Sequence, residues 1–277
     1  MGYTIDTKQY INKMVSFCRR IGVNLNLDKP VTIQDKLAWL NIYDCNSLKT
    51  KCADKIKIHD YCKDKLGKDI CVPILKTYDK VTDIKWDELP NQFVIKCNHG
   101  SGMNIICKDK KRLNIQQCIQ NLTRWMNDDF AFRNGFEAHY HDIPHKILVE
   151  KMIGGGDLID YKFWCFNGEP KLYTINDGQG HGNIIYYDMN DNLQNFYGVK
   201  NIPDYKKPHH FDVMLYLSKR LSEDFHFVRV DFYEVDGEIY LGELTFTPGE
   251  CGFKYQKRED EIKVGNLLIL PIENKEG

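Results

Sequence analysis

The stretch FVRVDFYEVDGEIYLGELTF, residues 227–246, predicts a β-hairpin that turns at Asp236-Gly237. Successive side chains of a strand point to opposite faces, so the turn decides whether Asp231 and Glu243 share a face. A two-residue turn would place them on opposite faces, because strand register is strict. We expect a three-residue loop, Val235–Gly237 with Gly237 as the bulge residue, which places both carboxylates on one face.

On that shared face the hairpin would bring together the carboxylates of Asp231 and Glu243 and the guanidinium of Arg229. Two carboxylates of this kind suit Mg²⁺, which binds through one or two carboxylates plus the phosphates of a substrate. The alternative is an exposed face with a surface ion pair, which is the commoner outcome for an isolated hairpin. Other motifs of the chain are needed to choose between the two.

A second feature is Lys96, near the end of the predicted strand Phe93–Cys97, followed by the glycine-rich segment Asn98–Gly102 and a returning strand at Asn104–Cys107. A strand lysine next to a loop with free N–H groups can hold phosphate. The segment lacks the G-x-x-x-x-G-K-[ST] spacing of a P-loop, so an ordinary hairpin turn is the alternative. We expect His99 to donate a hydrogen bond to phosphate.

A third feature joins two further strands. Lys146–Glu150 has the apolar composition of a short buried strand, and the glycines Gly154–Gly156 interrupt the chain after it. A strand follows at Asp160–Phe166, and Asn167-Gly168 predicts a hairpin to the segment Lys171–Ile175.

Helical periodicity dominates the first 75 residues or so, where Thr32 and Asp35 have the spacing of a capping box. A further helix is expected there at Asp54–Lys65, and the periodicity returns at Ile115–Phe130 and Phe211–Leu221. The order predicts a helical lead followed by an α+β body rich in antiparallel strand pairs.

The charge composition of the chain argues against two classes of binding partner, nucleic acids and anionic membranes. The 277 residues carry 38 Lys plus Arg against 39 Asp plus Glu, a formal charge of −1. Non-specific binding to nucleic acid or to anionic membranes usually requires excess positive charge. No apolar run approaches the roughly 20 residues that span a bilayer, and the first residues lack the pattern of a signal peptide. We expect a soluble, cytoplasmic protein without membrane insertion or a nucleic-acid partner.

The ten cysteines agree with a reducing compartment, because they are scattered along the chain and none forms a C-x-x-C pair. That spacing disfavours a zinc site. His139-Tyr140-His141 offers another possible metal site, since on a strand both imidazoles would share a face. Without a cysteine or carboxylate at ligand spacing, we expect these histidines to be partly exposed residues near the functional cleft.

Taken in chain order, the three features resemble the ATP-grasp superfamily, and specifically its TupA-like branch, over about residues 30–253. The resemblance implies an α+β fold in which two subdomains sandwich ATP behind a short helical N-terminal lead. The corresponding division is a lead at 1–53, a first subdomain at 54–150 and a second at 151–277.

The same resemblance implies which residues hold ATP and Mg²⁺. Glu150–Ile153 are similar to the hinge that reads adenine, and Asp160 stands where an acidic residue meets the ribose. The nucleotide-binding residues implied are Lys55, Lys96, His99, Gly100, Ser101, Gly102, Glu150, Lys151, Met152, Ile153 and Asp160. The metal residues implied are Asp231, Glu243 and Thr245, the last where many members have Asn, and the catalytic residues are Arg229 and Lys162.

The activity that the resemblance implies is ATP-dependent ligation of a carboxylate to an amine through an acyl phosphate. Such a protein mainly positions reactants and neutralises charge, which lysines, Mg²⁺ and an arginine can do. The substrates implied are a small-molecule or sugar-linked carboxylate, such as a uronic acid or amino acid of a surface polysaccharide, and an amine. Two alternatives are a small-molecule kinase on the same scaffold and a non-catalytic nucleotide-binding module.

Overall fold

The structure is a computed structural model that describes residues 7–156, 158–176, 184–200, 202 and 207–272. It contains two antiparallel β-sheets. The strands of the smaller sheet are β1 (Ile74–Tyr78), β2 (Phe93–Cys97), β3 (Asn104–Cys107) and β4 (Ile147–Lys151), in the order β1-β4-β2-β3. The strands of the larger sheet are β5 (Asp160–Phe166), β6 (Glu169–Asn176), β7 (Ile185–Asp188), β8 (Leu193–Gln194), β9 (Phe227–Val235) and β10 (Glu238–Thr245), in the order β10-β9-β5-β6-β7-β8.

Helices cover the sheets and form the N-terminal lead. The α-helices within the described ranges are α1 (Thr7–Arg20), α2 (Ile33–Tyr43), α3 (Ser47–Ala53), α4 (Ile58–Leu66), α5 (Ile115–Met126), α6 (Ala138–His141), α7 (Phe211–Ser222) and α8 (Arg258–Gly265). None of these helices is both long enough and apolar enough to cross a membrane. On α7, Met214 and Leu221 are fully buried where the helix packs on β5, β6 and β9.

The predicted α+β class is confirmed, and β2, β3 and β5 have the predicted bounds. Their β-branched and aromatic residues and the turn residues that flank them are signals that a sequence carries well. Strand β1 was not predicted, because its three central residues are exposed and it has no alternation of apolar and polar positions. It lies at the edge of the smaller sheet, paired with β4.

Helix ends follow local chemistry. The capping box at α2 is confirmed: the hydroxyl of Thr32 accepts from the Asp35 N–H at 3.2 Å, and the Asp35 carboxylate accepts from the Thr32 N–H at 3.0 Å. The predicted start of a helix at Asp54 is wrong, because α4 begins only at Ile58. The Asp54 carboxylate instead accepts from the amide of Asn98 at 2.9 Å, which ties this turn to the end of β2.

His139 and His141 lie in α6, not on a strand, which argues against the alternative of a shared metal site, and the expected partial exposure is wrong for His139. Residues two apart on a helix do not face each other. His139 is buried, at 2% exposure, and packs edge-on against Phe246. His141 is half-buried and its Nδ1 lies 2.7 Å from the Asp129 carboxylate.

The N-terminal lead packs against the last described segment of the chain. The Gln34 amide donates to the Phe253 carbonyl at 2.9 Å, and the Lys36 ammonium donates to the carbonyls of Gly265 and Leu268 at 2.8 and 2.7 Å. Helices α2 and α8 are therefore direct neighbours. The division after residue 150 falls near the end of β4, between the two sheets, and it stays a prediction.

Candidate functional site

The β9–β10 hairpin reaches the expected arrangement by a different route. The predicted three-residue loop is wrong: the turn has two residues, Asp236 and Gly237, both with positive φ. A bulge at Gly242 then shifts the register, so that Asp231 pairs directly with Glu243. With a two-residue turn and no bulge, Asp231 and Glu243 would lie on opposite faces of the hairpin. The extra residue at Gly242 moves Glu243 by one position, so both carboxylates lie on the same face. A Cβ at position 242 would lie 2.8 Å from the Tyr233 ring, which is why glycine stands there.

Arg229 is the centre of a charge cluster on this face. Its Nε and Nη2 donate to the two oxygens of Asp231 at 2.7 and 2.6 Å, a two-pronged ion pair. Nη2 also lies 3.2 Å from Glu243 and 3.1 Å from the Thr245 hydroxyl, which itself donates to Glu243 at 2.9 Å. The four side chains form one hydrogen-bonded network across two strands.

Lys162 joins the network from β5, the neighbour of β9. Lys162 stands opposite Asp231 in the strand register, and its Nζ lies 2.8 Å from Asp231 and 3.3 Å from Asp160. With Arg229 and Glu243, the cluster contains two cations and three carboxylates. Such a set has one formal negative charge in excess and suits a further cation.

Neighbouring charges of the cluster stabilise the ionised forms of Glu243 and Lys162. Burial raises the pKa of Glu243, but Arg229, Lys162 and Lys55 outweigh it and lower that pKa to about 2. Burial lowers the pKa of Lys162, and the combined attraction of Asp231, Asp160 and Glu243 more than reverses this, so that the pKa is raised. Glu243 therefore keeps its charge at neutral pH. Oxygen ligands of this type, two carboxylates and a hydroxyl, are the donors that Mg²⁺ prefers, so the set fits that ion.

A cleft of about 170 Å³ opens between the two sheets over this cluster. Its lining brings together residues from both sheets and from the loop between β2 and β3. The lining residues are Lys55, Lys96, Ser101, Gly102, Met103, Asn104, Asp160, Lys162, Asp231, Tyr233, Gly242 and Glu243. The three lysines predicted to meet, Lys55, Lys96 and Lys162, thus lie in one cleft with the two carboxylates predicted to hold the metal.

The two lysines of the smaller-sheet side have different partners. Lys96 on β2 lies 2.6 Å from Glu150 on β4, the neighbouring strand. The Lys55 ammonium donates to the carbonyl of Gly100, so it anchors the loop between β2 and β3. Burial lowers the pKa of Lys55, and the nearby Lys96 adds to this effect. Concentrated positive charge of this kind is what a polyanion such as a nucleotide phosphate requires.

His99 does not face the cleft, and the prediction that it binds phosphate is wrong. Its side chain is fully buried, Nε2 lies 3.0 Å from the Trp125 carbonyl, and the ring stacks on His145 at 3.5 Å. Burial and the neighbouring His145 lower the pKa of His99 to about 4, so the ring is neutral. Gly100 is also enclosed, since a Cβ there would lie 2.6 Å from the Phe130 ring.

The hinge segment Glu150–Ile153 lies outside the lining of this cleft among the described residues. Glu150 reaches the cleft indirectly, through its ion pair with Lys96. The Lys151 N–H donates to the Pro73 carbonyl at 2.9 Å and is therefore engaged within the protein. The adenine and ribose roles of these residues and of Asp160 stay predictions.

Sequence reasoning missed three lining residues: Asn104, Tyr233 and Gly242. Tyr233 is two residues beyond Asp231 on β9, so its side chain lies on the same face as those of Arg229 and Asp231 and could have been predicted from the alternation. An isolated glycine inside a strand is a recognised signal of a bulge, and Gly242 provides that signal.

A buried carboxyl, Glu137, lies next to the cluster. It accepts a hydrogen bond from the Thr247 hydroxyl, just beyond the end of β10. Burial raises the pKa of Glu137 to about 8, against the lowering effect of that hydrogen bond, and the nearby carboxylates of Glu250 and Glu243 raise it further. The folded protein therefore holds Glu137 in its neutral form at pH 7.

Glu137→Gln is expected to become more stable than the wild type as pH rises. Between the ordinary pKa of 4.5 and about 8, the unfolded chain is ionised while folded Glu137 keeps its proton, so this group lowers stability as pH rises. Between about pH 5 and pH 8.5 the advantage of the variant should grow by about 3–5 kcal/mol, since one pKa unit corresponds to about 1.4 kcal/mol. Urea unfolding at several pH values measures it. Glu238→Gln, an exposed carboxyl at the hairpin turn, is the control, and equal pH profiles for the two variants would contradict the assignment.

The paired sheets and the lysine-and-carboxylate cleft between them define this chain as an ATP-grasp protein. The family model for TupA-like ATPgrasp matches residues 35–269, and the chain belongs to that family. The predicted resemblance and the predicted fold are thereby confirmed. No significant match is found among curated protein sequences.

Solved structures with a similar fold include two D-alanine–D-alanine ligases. The one from Bacillus anthracis is 18% identical, with a TM-score of 0.44, and covers 96% of this chain and 95% of its own. The one from Helicobacter pylori is 17% identical, with a TM-score of 0.44, over 79% of this chain and 61% of its own. An L-amino acid ligase from Bacillus licheniformis is 13% identical, with a TM-score of 0.44, over 72% and 42%. This chain thus spans about three fifths and two fifths of the last two proteins, and likenesses this distant say nothing of its substrate.

Proposed function

We propose that this protein is an ATP- and Mg²⁺-dependent carboxylate–amine ligase that acts through an acyl phosphate. The observation that carries the proposal is the position of Arg229, held by Asp231 and Glu243 on the face where Lys162 meets the cleft lined by Lys55 and Lys96. Membership of the TupA-like ATP-grasp family supports ATP as the nucleotide that this cleft binds.

The lysines act first, by holding the nucleotide. Lys55 and Lys96 bind phosphate oxygens from the smaller-sheet side, and Lys162 binds them from the larger sheet. The loop at Ser101 and Gly102 lies between them and offers backbone N–H groups. Positioning of this kind supplies much of the rate in phosphoryl transfer, where the protein has little covalent chemistry to perform.

Asp231, Glu243 and Thr245 would hold Mg²⁺. The ion would supply neutralising charge at the phosphates. Asp231 accepts from both Arg229 and Lys162, so Mg²⁺ would share the Asp231 oxygens with these two cations.

The reaction has two steps with balanced bonds. A substrate carboxylate oxygen attacks the terminal phosphorus of ATP, the bond to ADP breaks, and an acyl phosphate forms. The amine then attacks the acyl carbon, inorganic phosphate leaves, and the amine proton is lost. Arg229 donates hydrogen bonds to the oxyanion of that second step, for which its planar, permanently charged fork is suited.

We further propose a uronic acid or an amino acid of a surface polysaccharide as the carboxylate substrate. The support for this finer statement is the TupA-like resemblance.

Hydroxylamine provides the test, because it intercepts an acyl phosphate as a hydroxamate. Wild-type protein with ATP, Mg²⁺, hydroxylamine and a panel of uronic and amino acids should form a hydroxamate and ADP in equal amounts for the correct acid. Omission of the acid or of ATP is the control. A hydroxyl-phosphorylated product without hydroxamate would assign the protein to the kinases, and bound nucleotide without any turnover would assign it to non-catalytic modules.

A further inference from the structure

A cluster of metal-binding atoms lies away from the cleft, where α4 meets the segment that precedes β1. His59 and Cys62 are three residues apart on α4 and so lie on one side of that helix. Asp69 and Cys71 follow after the helix ends. The nearest ligand atoms of His59, Asp69 and Cys71 all lie within 4.8 Å of one another. The sulfur of Cys62 lies 3.5 Å from that of Cys71.

We propose that His59, Cys62, Asp69 and Cys71 form a structural site for Zn²⁺. Imidazole, thiolate and carboxylate are the ligands of this ion, at about 2.0–2.3 Å in a tetrahedral arrangement. Two thiolates bound to one tetrahedral Zn²⁺ are about 3.8 Å apart, close to the 3.5 Å between Cys62 and Cys71. Binding releases the two thiol protons to solvent.

The other two ligands, His59 and Asp69, already contact each other and the segment of Cys71. His59 Nδ1 lies 2.8 Å from one oxygen of Asp69, and the other oxygen of Asp69 accepts from the Cys71 N–H at 3.0 Å. An ion between them would replace the direct contact of His59 with Asp69 by two metal bonds. Lys63 is the nearest competing cation recorded, with Nζ 3.8 Å from Asp69 and a largely exposed side chain.

The cluster also has an entry route. The side chains of His59 and Asp69 are 13% and 29% exposed, whereas Cys62 and Cys71 are buried behind them. The proposed site is therefore closed to solvent on the side of the two thiols and open to solvent on the side of His59 and Asp69. Zn²⁺ can therefore reach the thiols past the exposed pair.

The position of the site suggests what it stabilises. The segment of Cys71 runs beside β10, where Cys71 forms a bridge with Leu241 and the Ile70 carbonyl accepts from the Leu241 N–H at 2.7 Å. Glu243 of the cleft follows two residues later on β10. An ion shared by α4 and this segment would brace the strand that carries Glu243.

Metal uptake by the purified, reduced protein tests the proposal. The protein is stripped with a chelator, given Zn²⁺ alone, desalted and analysed for metal, and Co²⁺ alone is used to observe sulfur-to-cobalt absorption. We expect one Zn²⁺ per chain and a raised unfolding temperature. Loss of an outer-shell partner typically weakens metal binding 10–100-fold, so His59→Ala and Cys71→Ser should each weaken it by about 100-fold or more. Cys118→Ser, a buried cysteine on α5, is the matched control and should retain the ion.

His59→Ala keeps both buried thiols, so it tests the site even where Cys71→Ser fails to fold. Wild-type protein that retains no Zn²⁺, or a His59→Ala variant that retains it with unchanged affinity, would overturn the proposal. A disulfide between Cys62 and Cys71 in the untreated protein, without Zn²⁺ uptake after reduction, would also overturn it and assign the pair to redox chemistry.

Discussion

Arg229→Met is expected to lower the rate of amide formation by about 10²–10³ while ATP binding persists. Removing one preorganised donor to a tetrahedral oxyanion typically costs this much in rate. Lys55 and Lys96, the proposed phosphate-binding lysines, do not depend on Arg229 for their contacts, which are to Gly100 and Glu150. Steady-state amide formation and nucleotide titration, measured on the same preparation, separate the two effects.

The loss of Arg229 also leaves Asp231 and Glu243 with one cation fewer, and breaking a buried ion pair typically costs about 3–5 kcal/mol of stability. Arg229→Lys is therefore the companion variant, because it keeps the charge and loses the two-pronged geometry. We expect it to fold like the wild type and to remain slow. A fully active Arg229→Lys would show that charge alone suffices and would remove the oxyanion role.

Lys96→Met is expected to weaken ATP binding by about 100-fold, which corresponds to about 2.7 kcal/mol. Truncating one partner of a buried, hydrogen-bonded charge pair costs about 2–5 kcal/mol, and the Lys96 side chain is only 20% exposed beside the cleft. Isothermal titration with ATP and Mg²⁺ measures the loss.

Lys146→Met is the matched control for this variant. Lys146 also pairs with a carboxylate, Asp79, at 2.6 Å, but its side chain is 42% exposed and it lies outside the cleft lining. Its loss should leave ATP affinity within about twofold, because exposed ion pairs contribute little. Equal affinities for the two variants would remove Lys96 from the nucleotide site.

The elements with strong local signals could be predicted from the sequence. Strand β5 leads directly into the hairpin signal Asn167-Gly168, so its bounds were readable, whereas Lys162 was assigned to the site by the family resemblance. The Lys96 loop was readable for the same reason. Family resemblance then joined segments that are distant in sequence.

What could not be predicted depends on contacts between distant segments. The direction of His99 is set by the Trp125 carbonyl of α5 and by the stacked ring of His145, neither of which the loop sequence contains. The hairpin bulge was missed because the turn was treated alone, without the glycine five residues beyond it at Gly242. The thiols of Cys62 and Cys71 are nine residues apart, and only the fold of the intervening turn brings them together.

The contacts between α2 and the last described segment have a consequence for synthesis on the ribosome. The partners of Gln34 and Lys36 lie 219 to 232 positions later in the chain. During vectorial translation the face of α2 that carries them stays uncovered until those late residues emerge. Contacts at such long range form slowly, and exposed apolar surface in the meantime favours chaperone capture or aggregation. Helix α2, although synthesised well before its partners, is therefore among the last parts of this molecule to reach its final packing.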